Sequence, residues 1–400
     1  MKLVPFSSQY LRLGEPLPFG LRDADGRLLL SAGQHVTSRE QLAEMASQPL
    51  FGEEGESADW HRRLGAAMDL ALRQGAKLGA VAAARPDAPQ REVAAVALSV
   101  PEQWQALVSQ LDLALRELRA GSDWRQRLFG VHGRARLAYQ RRADASLYHL
   151  VYEAGHSPQK YSCHHALLTL LMSEQAATTL GWSQPWIDSL GRAALTMNVA
   201  MLRLQDQLAV SDHAPTPDMR AEIEAHPETS ARMLEAAGMG DPLCLAVVRL
   251  HHNAGAAEQP LAALSPECQM ARLLRRVDIF AAKISRRSTR QPMSPVQAAR
   301  EACLGSGGVP DEIGGALLKA VGLYPPGSFV ELNSGEVGIV LARGRRANLP
   351  FVAVLVSASG SPLGEPALRD TLDQRYTVKA AVPPSAVKVR PPHERLLAMR

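Results

Sequence analysis

Residues Gly191 to Leu208 read GRAALTMNVAMLRLQDQL, and the fold of the chain is decided around them. The stretch lies midway between a first histidine cluster, Cys163-His164-His165, and a second that begins at His226 and ends with His251-His252. Asp278 follows on what reads as a further helix. At the centre stand Met197 and Asn198, a thioether and an amide between two groups of side chains that bind metals readily.

Outward from this centre the pattern is helical over residues 146–323. Gly181-Trp182 ends one helix, and Ser211 to Pro217 forms a loop. Asp241-Pro242 and Ser294-Pro295 each pair an N-cap residue with a proline at the first helical position. Gly305 to Pro310 reads as a turn. Residues 59–145 predict a helical linker region, because HRRLGAAMDLALRQGAKLGAV and PEQWQALVSQLDLALRELRA carry apolar residues at three- and four-residue spacing. ARPDAPQREV, with two prolines, is the loop between them. The basic run Arg134, Arg136, Arg141 and Arg142 reads as a solvated helix face.

Both ends change period. In residues 1–58, LPFGLRDADGRLLLS sets Asp25-Gly26 between two apolar runs, a hairpin signal. Thr37 and Glu40 have capping-box spacing for a short helix, and GEEGESADW reads as a closing connector. In residues 324–400, SFVELNSGEVGIVLARG and FVAVLVSASG predict strands around a Ser334-Gly335 turn, and TVKAAVPPSAVKV a further one. The fold class is therefore mainly α, a helical bundle with small β units at the N- and C-termini. No repeat of solenoid period is present.

Composition narrows the function classes. At 46% hydrophobic and 21% charged the chain is an ordinary globular one, and its 400 residues allow a large core. A net charge of +4 admits anionic ligands, while the lack of a basic arm or an aromatic-basic strand pattern excludes nucleic acid as the expected partner. Cys163, Cys244, Cys268 and Cys303 have no CxxC spacing, which fits a reducing compartment. The start, MKLVPFSSQYLRLGEP, lacks a signal-peptide core, and the apolar run near Val93 to Val100 is too short to span a membrane. The expectation is a cytoplasmic protein without membrane contact.

Six segments, in order and spacing, resemble the HD-GYP branch of the HD-domain phosphohydrolases. They are YSCHHALLTLL, the central stretch, IEAHPETSARML, VVRLHHN, RRVDIFAAKISRRSTRQPMSP and GLYPPGSFVELNSGEVGIV, together spanning about 161–341. That branch hydrolyses the bacterial second messenger cyclic di-GMP. By position the resemblance implies metal-ligand places at His165, His226, His251, His252 and Asp278, and phosphate-facing arginines at Arg287 and Arg290. The departures are concentrated. The His-Asp pair is Met197-Asn198, the following glycine-lysine is Ala200-Met201, HHNAGAAEQPL lacks the tyrosine signature, and a second late aspartate is Ala281.

In such sites the central aspartate bridges two metal ions and helps hold the attacking water. Two dications ~3.5 Å apart repel by roughly 19 kcal/mol at an effective dielectric of about 20. A carboxylate lowers that cost and an amide supplies only a dipole, so no dinuclear centre is expected. Met197 offers a soft sulfur that suits copper(I) better than iron, manganese or magnesium. His226, His251 and His252 can still hold one transition metal (iron, manganese or zinc) with a position open to water. The bland alternative is a set of relic histidines bonded to Asp278 and Asn198, with Met197, Met201 and Met219 as core. His164, His213 and His393 read as packing or surface residues, and Cys163 as a buried thiol. Between Arg272 and Arg290 the cations read as a solvated basic edge, with Arg287 and Arg290 singled out by the resemblance alone. No P-loop, GxSxG elbow or GxGxxG after a strand competes. Three readings follow. The first is a degenerate, catalytically impaired or inactive signalling protein that binds a cyclic dinucleotide or a protein partner. The second is a one-metal phosphohydrolase, and the third a docking platform.

Overall fold

Asp25-Gly26 makes the hairpin the sequence predicts. Gly26 takes φ +82°, a left-handed conformation that costs glycine little, and the turn joins β2 (Leu21–Arg22) to β3 (Leu28–Leu30). The computed structural model describes residues 2–73, 98–253, 259–304 and 308–399. The loop ARPDAPQREV, the end of the 61–81 stretch, part of the apolar run near Val93 and part of the Gly305–Pro310 turn lie outside the described residues.

The chain forms two compact units, Met1–Ala106 and Leu107–Arg400. In the first, β1 (Leu3–Phe6), β4 (Leu50–Glu53), β2 and β3 lie in that order in one antiparallel sheet. Phe6, Phe19, Leu21 and Trp60 make its core. Two local expectations are corrected. The helix α1 (Arg39–Ala46) is capped by Ser38, whose Oγ accepts from the Gln41 amide at 3.0 Å, and not by Thr37. GEEGESADW is no connector: it runs from β4 straight into α2 (Glu54–Arg73), whose first turn holds Glu54 and Glu56 where the helix dipole favours acids.

After α3 (Val100–Arg116), within which the boundary between the units falls, come α4 (Trp124–Arg141), α5 (Ala143–His156), α6 (Tyr161–Thr179) and α7 (Gln184–Thr196). α6 is buried on every side from Tyr161 to Glu174, as a helix surrounded by others must be. It ends in a Schellman motif at Gly181 (φ +74°), where the Trp182 amide donates to the Ala177 carbonyl at 3.1 Å. α8 (Leu202–Val210) and α9 (Pro217–Ala236) follow, then α10 (Pro242–Leu250), α11 (Pro266–Ile284), α12 (Pro295–Cys303) and α13 (Glu312–Val321). The predicted caps form: Asp241 Oδ1 accepts from the Cys244 amide at 3.0 Å and Ser294 Oγ from the Gln297 amide at 3.3 Å. Asp241 also receives the Arg192 guanidinium at 2.7 Å, fixing the start of α10 to α7.

The C-terminal strands form one antiparallel sheet in the order β8 (Pro362–Asp370), β7 (Phe351–Val356), β6 (Val337–Ala342), β5 (Phe329–Leu332) and β9 (Val378–Val382). One face, with Phe329, Ile339 and Leu341, packs on Tyr148 of α5 and on Leu396 of α14 (His393–Ala398). The opposite face is closed by Tyr324, Leu363 and Tyr376. Among the described residues no helix is long and apolar enough to cross a membrane. The fold is mainly α, with small antiparallel sheets towards either end.

Candidate functional site

The helix that begins at Gln184 breaks at the centre of the opening stretch. α7 stops at Thr196, Met197 and Asn198 form a turn, and Val199–Met201 is a short 3₁₀ segment before α8. Met197 is fully buried and Asn198 half-buried. The Ala200 amide donates to Ser230 Oγ at 3.1 Å, and Ser230 lies one turn beyond His226 on α9. The break therefore sits against the helix that carries the first histidine of the second cluster.

His226 is positioned by the residue after it. Pro227 lies inside α9 and has no amide hydrogen, so the Ile223 carbonyl loses its helical partner. His226 Nδ1 takes that carbonyl instead, at 2.5 Å. His251 uses the other free carbonyls a helix offers, those of its last turn: its Nδ1 donates to the Val248 carbonyl at 2.6 Å just past the end of α10. A carbonyl only accepts, so both Nδ1 atoms carry the hydrogen and both Nε2 atoms present bare lone pairs. These two Nε2 atoms face each other at 3.1 Å. His252, exposed at the rim, completes the trio, and one nitrogen from each ring lies within 4.8 Å of the other two. Burial, with His252 adding to it, pushes His226 down to about 4. Burial also pushes His251 down to about 3 and lowers His252. The rings are thus neutral, the form that binds metal.

Two lone pairs at 3.1 Å repel unless something positive lies between them. Metal–nitrogen bonds of about 2.0–2.1 Å place neighbouring donor atoms roughly 2.9 Å apart in an octahedron and 3.4 Å in a tetrahedron. The observed spacing falls between, so this donor set fits one cation.

His165 and Asp278 make a separate arrangement. His165 Nε2 meets Asp278 Oδ1 at 2.7 Å, between α6 and α11. Desolvation opposes ionisation of Asp278, but the His165 hydrogen bond and charge, with the fields of His251 and His252, outweigh it and hold the carboxyl down at about 2. The His165 ring stacks on Tyr161 one turn earlier, with centroids 5.6 Å apart. Over Tyr161 lies the Arg287 guanidinium, which donates to the Tyr161 hydroxyl at 3.0 Å. Arg287 Nε and His165 Nδ1 are buried without a hydrogen-bond partner among the described residues. Buried polar atoms without a partner are uncommon in folded proteins.

Arg287 and Arg290 part company. Their backbones pair with each other, but the exposed Arg290 turns to the Ala282 carbonyl at 2.8 Å while Arg287 faces Tyr161. The solvated basic edge expected around them is corrected in part. Arg272 is buried and donates to the Gln259 carbonyl, and Arg276 pairs with Asp311 at 2.5 Å. Likewise Arg136, read as solvated, turns inward to Glu174 at 2.7 Å. His164 is buried, and His213 lies in the open. Sequence reasoning missed Tyr161, four residues before His165 in YSCHH, and Pro227, printed beside His226 in IEAHPE. It also missed the buried His132–Glu174 pair at 2.6 Å, which no motif signals.

No protein-family model matches the chain. The cyclic di-GMP phosphodiesterase PA4108 of Pseudomonas aeruginosa is 26% identical over 208 residues, covering 50% of this chain and 49% of that protein. The chain thus matches about half the length of that curated relative. Among solved structures, Bd1817, an HDG"Y"P protein from Bdellovibrio bacteriovorus, aligns over 79% of this chain and 98% of its own at 12% identity and a TM-score of 0.43. The chain is similar to the HD-GYP branch of the HD-domain phosphohydrolases over about half its length, in agreement with the resemblance of its sequence segments.

Proposed function

We propose that this chain binds a cyclic dinucleotide at the HD-type site and uses it for regulation, without two-metal hydrolysis. The observation that carries the reading is the Met197-Asn198 turn, at the places of the family's His-Asp pair and against the helix that carries His226. It puts no carboxylate where a bridge between two cations is needed. The relation to a cyclic di-GMP phosphodiesterase supports the ligand class. So does Arg287, whose unpartnered Nε suits a phosphodiester oxygen. Tyr161 holds that guanidinium in place through its ring and its hydroxyl.

A bound metal would supply Lewis acidity and charge for the phosphates, and His226, His251 and His252 are the residues to hold it. Because three histidines can support one cation, a one-metal phosphohydrolase remains the second reading. Calorimetry with cyclic di-GMP and chromatography of the same samples test both. Micromolar binding without product supports the first reading, and Arg287→Ala should weaken that binding by about 10- to 100-fold, the worth of a charged hydrogen bond. Absence of heat at about 100 μM protein refutes ligand binding. Steady release of linear dinucleotide or GMP, lost in His251→Ala, establishes the second reading instead.

A further inference from the structure

We infer that the ligand places of the family have separated in this chain into two independent devices. His226, His251 and His252 form a self-contained site for one divalent cation of the zinc type, and His165 and Asp278 bind each other in place of a second cation. The inference deepens the one-metal element of the proposed function.

The first device is defined by ring orientation. Pro227 frees the carbonyl that fixes the His226 tautomer, and the end of α10 frees the one that fixes His251. Each hydrogen bond leaves its Nε2 as the only available donor atom, aimed at the other across 3.1 Å. Outer hydrogen bonds of this kind orient ligating imidazoles and raise their basicity. His252 is exposed, so its ring can swing the last ångström inward from within 4.8 Å. An all-nitrogen trio suits zinc, cobalt or nickel, whereas magnesium and manganese prefer carboxylate oxygen.

The second device is defined by what its members already touch. Asp278 spends an oxygen on His165 Nε2 at 2.7 Å, and that nitrogen is thereby withdrawn from metal binding. The remaining ring nitrogen of His165, Nδ1, is buried with no partner, and Tyr161 covers the flat of the ring. The imidazole held between Tyr161 and Asp278 occupies the carboxylate oxygen that a second cation would need.

The test uses the whole chain, stripped with chelator and titrated with zinc, manganese and cobalt(II) in a calorimeter, with the visible spectrum of bound cobalt as a second readout. One equivalent of zinc should bind, at least tenfold more tightly than manganese. Removing an imidazole should cost the 10- to 100-fold or more that ligand-shell changes typically cost. His251→Ala should show this loss, and so should His252→Ala, which removes an exposed ring and leaves the core intact. Asp278→Asn, which removes a nearby charge, and His165→Ala should each lower zinc affinity clearly less than His252→Ala does and leave the cobalt spectrum alone. Two equivalents of zinc overturn the inference, and so does loss of binding in Asp278→Asn equal to that in His252→Ala. Equal affinity for manganese and zinc also overturns it. Cyclic di-GMP is absent throughout, so metal binding can fail while dinucleotide binding succeeds, or the reverse.

Discussion

Gly191→Ala sets two rules against each other. In the interior of a helix, alanine is favoured over glycine by about 1 kcal/mol, so propensity alone predicts a more stable protein. The structure predicts the opposite. A Cβ on residue 191 would lie 2.5 Å from His132 Nε2 and 2.9 Å from Leu170 Cδ1, and closer still to Glu174 Oε1. Those atoms have little room to give. Glu174 and His132 are 4% and 6% exposed, joined to each other at 2.6 Å and to Arg136 at 2.7 Å. Overpacking of a filled interior costs about 1–3 kcal/mol, and a charged hydrogen bond pushed out of place about 1.5–3 kcal/mol more. Less the propensity gain, the net loss is about 3 kcal/mol, or roughly 6–12 °C in melting temperature for a unit of this size. Thermal unfolding followed by circular dichroism at neutral pH measures it. Repeating the substitution in a Glu174→Ala background should recover most of the loss, because the two changes share one space. A Gly191→Ala protein that melts at or above the parent temperature would falsify the packing described for α7 against α6.

Pro227→Ala restores an amide to the middle of α9. Up to about 3 kcal/mol of helix propensity is gained, while competition for the Ile223 carbonyl loosens His226, so zinc affinity should fall about tenfold as the melting temperature holds or rises; a fall in both refutes the assigned role of Pro227. His149 is buried with Nε2 unpartnered, and burial, then His164 and His393, pushes it down to about 3. Unfolded, it takes up a proton near pH 6.5, so the stability it contributes is complete above that value. That stability declines by up to about 1.4 kcal/mol for each pH unit on acidification toward the folded value. His149→Phe should flatten the dependence of melting temperature on pH between about 6 and 4, and an unchanged slope counts against it. Met197→His with Asn198→Asp should raise the manganese stoichiometry from one toward two, provided the His165–Asp278 pair opens; a stoichiometry held at one shows that the missing carboxylate is not what limits the site.

Much of the fold was legible because its signals are local. Asp-Pro and Ser-Pro at helix starts, Asp25-Gly26 and Ser334-Gly335 at turns, and Gly181 at the end of α6 act through the backbone of their own few residues. Errors arose where two local signals overlap. Thr37 and Ser38 both suit an N-cap, and only the register of Gln41 chooses between them. GEEGESADW has the composition of a loop and the acidic first turn of a helix, and packing of Trp60 into the sheet core decides for the helix. The site was legible as a list of residues but not as a grouping. Nothing in spacing shows that His165 faces Asp278 while His226 faces His251, because that depends on how α6, α9, α10 and α11 meet. Arg136 illustrates the same limit: a cation in a basic run reads as solvated until a buried acid on another helix, Glu174, claims it.

On the proposed function, the two groupings account for a site that binds the ligand without the reaction. A cyclic dinucleotide brings two phosphodiester charges, and binding it requires positive charge nearby but not between particular oxygens. Arg287 over Tyr161, with one cation on His226, His251 and His252 as proposed, would meet that requirement. Hydrolysis asks for more, since a water must be deprotonated and held in line while charge builds on the leaving oxygen. In a two-metal site the carboxylate that brings the cations together serves both needs. With an amide at residue 198, a second dication beside the first faces a repulsion of order 10 kcal/mol or more that the remaining groups do not offset. Asp278 is an acid at one of the family's ligand places, and it is already committed to His165. The imidazole against that carboxylate gives it a hydrogen-bond partner from within the bundle. On the proposed function, loss of catalysis by this route would leave the fold and the anion-binding half of the site standing, which is the condition for a binding protein to arise from an enzyme.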